Sequence, residues 1–469
     1  MTAAALHPST RRPTPGSAGE PARVPLATRP LGIVGTAMVA RRNVLELIPE
    51  LALRQPIVSG QTGLRWHMVM DPDSLRHILK DRVEDYPKSV TTKLILNPAI
   101  GDSLFVAEGA HWRWQRRAAA PAFAQRPVLA LGPVMTAAAE ASRRRLTAIA
   151  VQGGAAGGIA DVFEETVAAT FEVISDVTFS GDPGFDRDAV HSAINSYIEQ
   201  TAKVSVMDIL GLPAWLPRPG RLFSGRVMGR MKAIADRAIA ARAASGRPAD
   251  VPDLLDLLLG AQDPETGRTM SASELRDNLL TFIVAGHETT ALTLAWALYL
   301  LAFDPAVQAR AAAEVDGALQ GRAATAADLA ALPYLMRVVN ETLRLYPPAA
   351  FLSRTARRPD QLCGREVRTG DTVMLPIYAL HRNHLLWDRP HAFDPDRFLT
   401  APDRYAFLPF GAGPRICIGA SFALQEAVII LATLLQGLRF ELLPSFTPKP
   451  RMILTLRPAD GVRLRLFPR

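Results

Sequence analysis

The chain has 469 residues, 48% of them apolar, so it can bury a sizeable core, and its net charge of +8 comes with no basic cluster of the kind nucleic acid requires. Cys363 and Cys417 are its only cysteines, far apart in sequence, which excludes a disulfide framework and points to a reducing compartment, the cytoplasm. No run approaches the ~18–20 apolar residues that span a bilayer, since Leu31 to Val39 is short and broken by Gly32, Gly35 and Thr36.

From the N-terminus, residues 1–30 read as a disordered basic tail, rich in Ala, Pro and Thr, with Arg11, Arg12, Arg23 and Arg29 against Glu20. A mitochondrial transit peptide shares that composition. Residues 31–469 read as one domain without an internal repeat. Leu64 to Met70 reads as strand. Pro213, Pro217 and Pro219 interrupt the chain before another helical stretch. The clearest helix begins near Ser271, whose spacing to Glu274 is that of a capping box, and runs to Ala302 before Asp304-Pro305 stops it. Strand-like runs return at Glu366 to Leu375 and Met452 to Leu456, and Ser421 to Gln436 is apolar enough to be a buried helix. The expected class is mainly α, an α+β fold with a small β-rich portion.

Chemistry concentrates in Phe410 to Gly419 (FGAGPRICIG), a glycine-rich turn around Cys417. Gly411 and Gly413 permit positive φ, letting backbone approach a flat cofactor, and N–H groups of such a turn can keep a thiolate ionised. Gly419 leaves room for a helix to start beside the same cofactor. A buried structural cysteine is the plainer alternative. A Rossmann phosphate loop fails because Ile416 stands where the third glycine belongs. His287-Glu288 invites a zinc-protease reading, but Ala291 occupies the second histidine's place.

The pattern Phe-x-x-Gly-x-Arg-x-Cys-x-Gly resembles the haem-ligand loop of the cytochrome P450 family. The resemblance implies a P450 fold, with Cys417 as the proximal thiolate of a haem b iron and Phe410, Gly411, Arg415 and Gly419 around it. Ala285-Gly286-His287-Glu288-Thr289-Thr290 resembles the family's oxygen-activation segment, which makes Glu288 and Thr289 the catalytic proton-delivery pair. Glu341-x-x-Arg344 resembles the family's K-helix pair, completed by Arg397 in a structural ion network. Trp112-x-x-x-Arg116 shares one helical face and, with Arg354 and Arg415, would bind the haem propionates. Arg113 and Arg117 would face an electron donor. The pocket would be lined by Phe105, Phe282, Ala285, Ala350, Phe351 and Leu454.

By the same resemblance the activity is insertion of one atom of O2 into a small hydrophobic substrate. Electrons would come ultimately from NAD(P)H through a ferredoxin or flavodoxin and its reductase, because the chain ends about 50 residues after Cys417 with no reductase module. The protein is expected to be a cytoplasmic monomer with no membrane span and no nucleic-acid partner. A peroxide-driven peroxygenase, a non-catalytic haem protein that senses or carries a gas, and a haem-free acyl-transfer enzyme are the alternatives. The intact Glu288-Thr289 pair argues against the first two.

Overall fold

A computed structural model describes residues 19–179, 190, 192, 224–245 and 252–469. Six of its helices position the site: α1 (Gly109–Ala119), α2 (Gly132–Gln152), α3 (Val162–Phe179), α4 (Ala272–Phe303), α5 (Pro333–Leu345) and α6 (Ala420–Gly437). Helix α4 starts at the expected cap, where Ser271 and Glu274 satisfy each other's backbone N–H groups. It ends before Pro305, which has no N–H to continue it. Every side chain from Thr290 to Ala302 is buried, so this half of α4 has no solvent face and runs through the core.

Neighbouring helices are tied to α4 by polar contacts as well as apolar packing. From α3, Thr166 donates its hydroxyl to the Ala291 carbonyl at 3.1 Å and Thr170 to the His287 carbonyl at 2.9 Å. A Cβ on Gly286 would lie 3.1 Å from Cδ1 of Ile174, so this glycine serves the close approach of α3. Helix α6 is long and apolar enough to cross a membrane, but two-thirds of it is buried inside the molecule, against α2, α4 and α5.

The β portion is split into small sheets. Strands β1 (Ile57–Thr62), β2 (Leu64–Val69), β4 (Leu352–Thr355) and β7 (Thr372–Leu375) form one sheet in the order β1-β2-β7-β4, with β2 and β7 parallel. A second joins β3 (Gly158–Asp161), β11 (Arg463–Pro468) and β8 (Leu438–Leu442). Strands β5 (Asp360–Leu362) and β6 (Arg365–Val367) pair with each other, as do β9 (Pro450–Met452) and β10 (Leu456–Pro458). Two expected strands therefore divide. Glu366 to Leu375 is interrupted by a turn at Gly370, φ 91°, and Met452 to Leu456 is the bend between β9 and β10.

Part of the segment expected to be tail is packed into the molecule. Val24 is only 3% exposed, and its N–H donates to the Tyr378 hydroxyl at 2.9 Å. Ala22 binds two further tyrosines, its N–H donating to Tyr299 and its carbonyl accepting from Tyr346. Ala22 to Ala27 thus pack with the rest of the molecule: buried phenols satisfy the backbone of Ala22 and Val24, and the Ala27 N–H donates to the Ile48 carbonyl at 2.9 Å. The segment carrying Pro213, Pro217 and Pro219 lies outside the described residues.

Candidate active site

Phe410 to Gly419 form a loop closed by the Cys417 N–H, which donates to the Phe410 carbonyl at 2.9 Å. Gly411 and Gly413 have φ of 70° and 71°, as the cradle requires. They differ in their surroundings. A Cβ at Gly413 would sit 2.0 Å from the Leu79 carbonyl oxygen, whereas one at Gly411 or Gly419 would meet no atom. Gly413 anchors the loop to the protein, and Gly411 and Gly419 keep open the side a flat group would approach. The Cys417 side chain is accessible within this recess. Surrounding protein raises its pKa, opposed by a hydrogen bond from the Gly419 backbone and by the Arg116 charge. Those two groups favour the thiolate a metal would take.

Cations gather beside the loop in excess of anions. Arg354, 7% exposed, donates to the Ser353 carbonyl at 3.1 Å and makes no ion pair among the described residues. Burial, and then the neighbouring Arg415, lower its pKa to about 10. Burial also pushes the Lys88 ammonium well below its usual value, with Arg354 and Arg415 adding repulsion. Arg415 stacks over the Trp112 ring at 4.4 Å, donates to the Ala107 carbonyl at 2.9 Å and pairs with Glu108. Glu108 also accepts the Lys88 N–H at 2.9 Å and lies 3.6 Å from the Lys93 ammonium. Arg116 is lowered by burial and raised by Cys417. One carboxylate shared among these cations leaves them short of negative charge. A haem carries two carboxylates and its iron can take a thiolate as axial ligand, so the residues fit it.

Trp112, Arg116, Arg354 and Arg415 were legible in the sequence; Lys88 was not. Its ammonium lies 3.9 Å from the centre of the Phe105 ring, and no motif marks it. Arg117 departs from expectation. It makes a two-pronged ion pair with the buried Asp263 at 2.7 and 2.8 Å, so its role is to tie α1 to a turn before α4. Arg113 is exposed and pairs with Glu84 at 2.5 Å.

Above this cluster lies a cavity of about 1160 Å³ whose lining includes Phe105, Ala285, Glu288, Thr289, Phe351 and Leu454. Two expected lining residues are absent from its wall. Phe282 packs its ring on Phe123, centroids 4.9 Å apart, and Ala350 is completely buried with its carbonyl held by the Tyr378 N–H. Successive residues on a helix point about 100° apart, and Phe282 falls on the core side of α4. Thr289 faces the cavity with its hydroxyl donated to the Ala285 carbonyl at 2.7 Å. Glu288 is 2% exposed and turns toward β10, where it pairs with Arg457 and accepts the Thr455 hydroxyl at 2.5 Å. Arg457 and Thr455 carry no motif and escaped the sequence reading.

Behind the loop, the Arg344 guanidinium grips both oxygens of Glu341 at 2.6 and 2.7 Å, both side chains fully buried. Its remaining donors reach the carbonyls of His381, Pro390 and Ala392 at 2.7–2.9 Å. Arg397 joins Glu341 at 3.4 Å and binds the Asp388 and Arg389 carbonyls. The trio ties α5 to the segment that leads into the cysteine loop.

The Cytochrome P450 family model matches residues 29–465. Cyclooctatin synthase of Streptomyces melanosporofaciens is 34% identical over 446 residues, covering 93% of this chain and 94% of the relative. Cyclooctat-9-en-7-ol 5-monooxygenase of the same organism is 34% identical over 450 residues, covering 94% and 92%. Among solved structures, the haem domain of cytochrome P450DA superposes with a TM-score of 0.76 at 28% identity, covering 88% of this chain and 90% of that one.

Proposed function

Because the chain belongs to the cytochrome P450 family and is a monooxygenase of that family, we propose that it places one atom of O2 into a hydrophobic organic molecule. In this reading it works in the cytoplasm as a monomer. It draws electrons from NAD(P)H through a separate ferredoxin or flavodoxin and its reductase. When bound, haem b supplies the activation of O2, which no side chain here can perform.

The protein's own residues do the rest. Cys417 offers its sulfur, helped by the Gly419 N–H and the Arg116 charge. Arg354, Lys88, Arg415 and Arg116, with Trp112 beneath Arg415, would receive the propionates. Thr289 holds a proton at Oγ1 on the cavity side, parked on the Ala285 carbonyl. Glu288 stands one residue away at the cavity wall and is held by Arg457, so passing a proton on would require it to leave that cation. Phe105, Ala285, Phe351 and Leu454 give the substrate an apolar wall. Cyclooctat-9-en-7-ol is the first candidate to try, since one relative is named for acting on it.

The observation that carries this reading is the buried guanidinium of Arg354, without an ion pair among the described residues, beside Lys88 and the cysteine loop. The test is Cys417→Ser. The wild-type protein should show the far red-shifted ferrous–CO Soret band of a thiolate ligand, and the variant should lose it. Survival of that band in the variant means that another residue ligates the iron.

A further inference from the structure

The segment from Gly101 to Ala107, between the helix Val90–Ile100 and α1, brings Phe105 to the cavity wall. Apart from a turn at Ser103, whose carbonyl accepts the Val106 and Ala107 N–H groups, its backbone is held by side chains of α4 and α1. On α4, Asn278 is fully buried and commits its whole amide. Its Oδ1 accepts the Leu104 N–H at 2.9 Å, and its Nδ2 donates to Gln115 Oε1 of α1 and to the Glu274 carbonyl of its own helix, both at 2.8 Å. Gln115, equally buried, extends the hold, its Nε2 donating to the Asp102 carbonyl at 3.1 Å. About one turn along α4, the Thr281 and Ser103 hydroxyls lie 2.7 Å apart. The approach is close, since a Cβ on Gly101 would sit 1.8 Å from Oδ2 of Asp277. Buried amides with every hydrogen engaged fix one geometry rather than merely adding stability.

We propose that Asn278 is a positioning residue that sets the shape of the cavity through Phe105: with Gln115 it clamps Gly101–Ala107 to α4 and α1 and so fixes where the Phe105 ring stands. The ring is 41% exposed, with the Lys88 ammonium 3.9 Å from its centre. A side chain so little enclosed takes its place from its backbone. The far end of the segment is pinned separately, where the Ala107 carbonyl accepts from Arg415 at 2.9 Å. Loss of the Asn278 clamp therefore frees the middle, where Phe105 stands, and leaves the cysteine loop as it is. The cavity would lose its selectivity for ligand shape while the iron site persisted. The clamp is a matter of geometry alone; its bearing on ligands rests on the haem-bound reading proposed above.

Two iron-binding azoles separate the iron from the wall. Imidazole reports the iron alone, and 4-phenylimidazole adds an aromatic ring that must fit the cavity beside it. In spectral titrations of the haem-loaded protein, Asn278→Leu should weaken 4-phenylimidazole several-fold, as lost ring packing implies, and leave imidazole unchanged. Phe105→Ala should do the same. Adding Asn278→Leu to Phe105→Ala should then cost nothing more, because two changes that act through one ring do not add. Ser103→Ala removes one hydroxyl while Thr281 keeps the Asp277 carbonyl at 2.7 Å, so it should fold and show a smaller loss of the same sign. That variant decides the question if Asn278→Leu yields no holoprotein. A wild-type ratio of the two affinities in Asn278→Leu, or in its absence in Ser103→Ala, overturns the proposal. So does a wild-type ratio in Phe105→Ala, or an Asn278→Leu effect undiminished in the Phe105→Ala background. If neither azole moves the wild-type spectrum, the proposed function falls and this inference with it; imidazole binding with unaltered selectivity refutes the clamp alone.

Discussion

Arg344→Ala should be the most damaging single change behind the cysteine loop. The guanidinium makes two bonds to Glu341 and three to carbonyls, all at 2.6–2.9 Å and out of water. Its removal strands the Glu341 carboxylate, whose side chain has no exposed surface. Breaking a buried pair from one side costs about 3–5 kcal/mol. Glu341 would keep the Asp394 N–H at 3.0 Å and Arg397 at 3.4 Å. That partial compensation places the loss near the lower end, about 3 kcal/mol. Against a total of about 5–15 kcal/mol, that is a fifth to more than half of the stability. Urea titration of the holoprotein, followed by far-ultraviolet circular dichroism and by haem absorbance, should show both transitions at lower denaturant. The companion Glu341→Leu, Arg344→Met removes both charges and should recover part of the loss. A loss below about 1 kcal/mol in Arg344→Ala would refute the buried network as a structural keystone, since that is the worth of an exposed pair.

Three other outcomes follow from the same geometry. His381 is completely buried, its Nε2 accepting the Leu408 N–H at 2.8 Å, and burial lowers its pKa to about 3. The unfolded chain therefore binds a proton between about pH 6.5 and 3 that the native state refuses, and stability falls with pH across that window by about 1.4 kcal/mol per unit for one proton. His381→Asn should reduce the slope by that one proton, with His391, lowered to about 4, still contributing the same sign; identical slopes would rule His381 out. Arg354→Gln removes a cation that has no ion pair among the described residues, so haem transfer to apomyoglobin should quicken about ten- to a hundredfold, as loss of one charged hydrogen bond implies, and an unchanged rate would mean Arg354 does not hold the propionates. Thr289→Ala should keep haem and fold yet divert NAD(P)H consumption to peroxide; full coupling would remove Thr289 from proton delivery.

What the sequence disclosed was set by local spacing. The cysteine loop, the Trp112 and Arg116 pair, the Glu341 and Arg344 pair and the capped start of α4 each lie within about one to three helical turns, so their geometry is dictated by neighbours in the chain. Fold class followed from the same periodicities. Lys88 and Arg457 were hidden because each joins the site across a long stretch of chain, and Glu108 and Thr455, although close to Trp112 and Leu454, match no motif that would mark them. Phe282 and Ala350 were misassigned for a related reason. On α4, and in the irregular stretch after α5 that holds Ala350, apolar character does not say which side meets the cavity. Gly286, within the segment that carries Glu288 and Thr289, has a missing side chain that makes room for Ile174 on α3. Close packing between helices and space for a small molecule ask for the same residue.

The two acids that meet α4 show why residue type alone could not assign their roles. Glu288 faces the cavity wall and finds the Arg457 guanidinium, so its negative charge has a partner. Glu426 comes from α6, and neither of its oxygens has a hydrogen-bond partner among the described residues; burial pushes its carboxyl well above the usual carboxylate range. Surroundings, not residue type, therefore set what each acid can do. For Glu288 they set a direction: Arg457 and the Thr455 hydroxyl hold its carboxylate toward the C-terminal strands. In Arg457→Leu that hold is halved, and with carbon monoxide as probe of the cavity side the C–O stretch should broaden as the side chain samples more than one orientation. An unchanged, narrow stretch would mean that Thr455 alone fixes the direction in which Glu288 points.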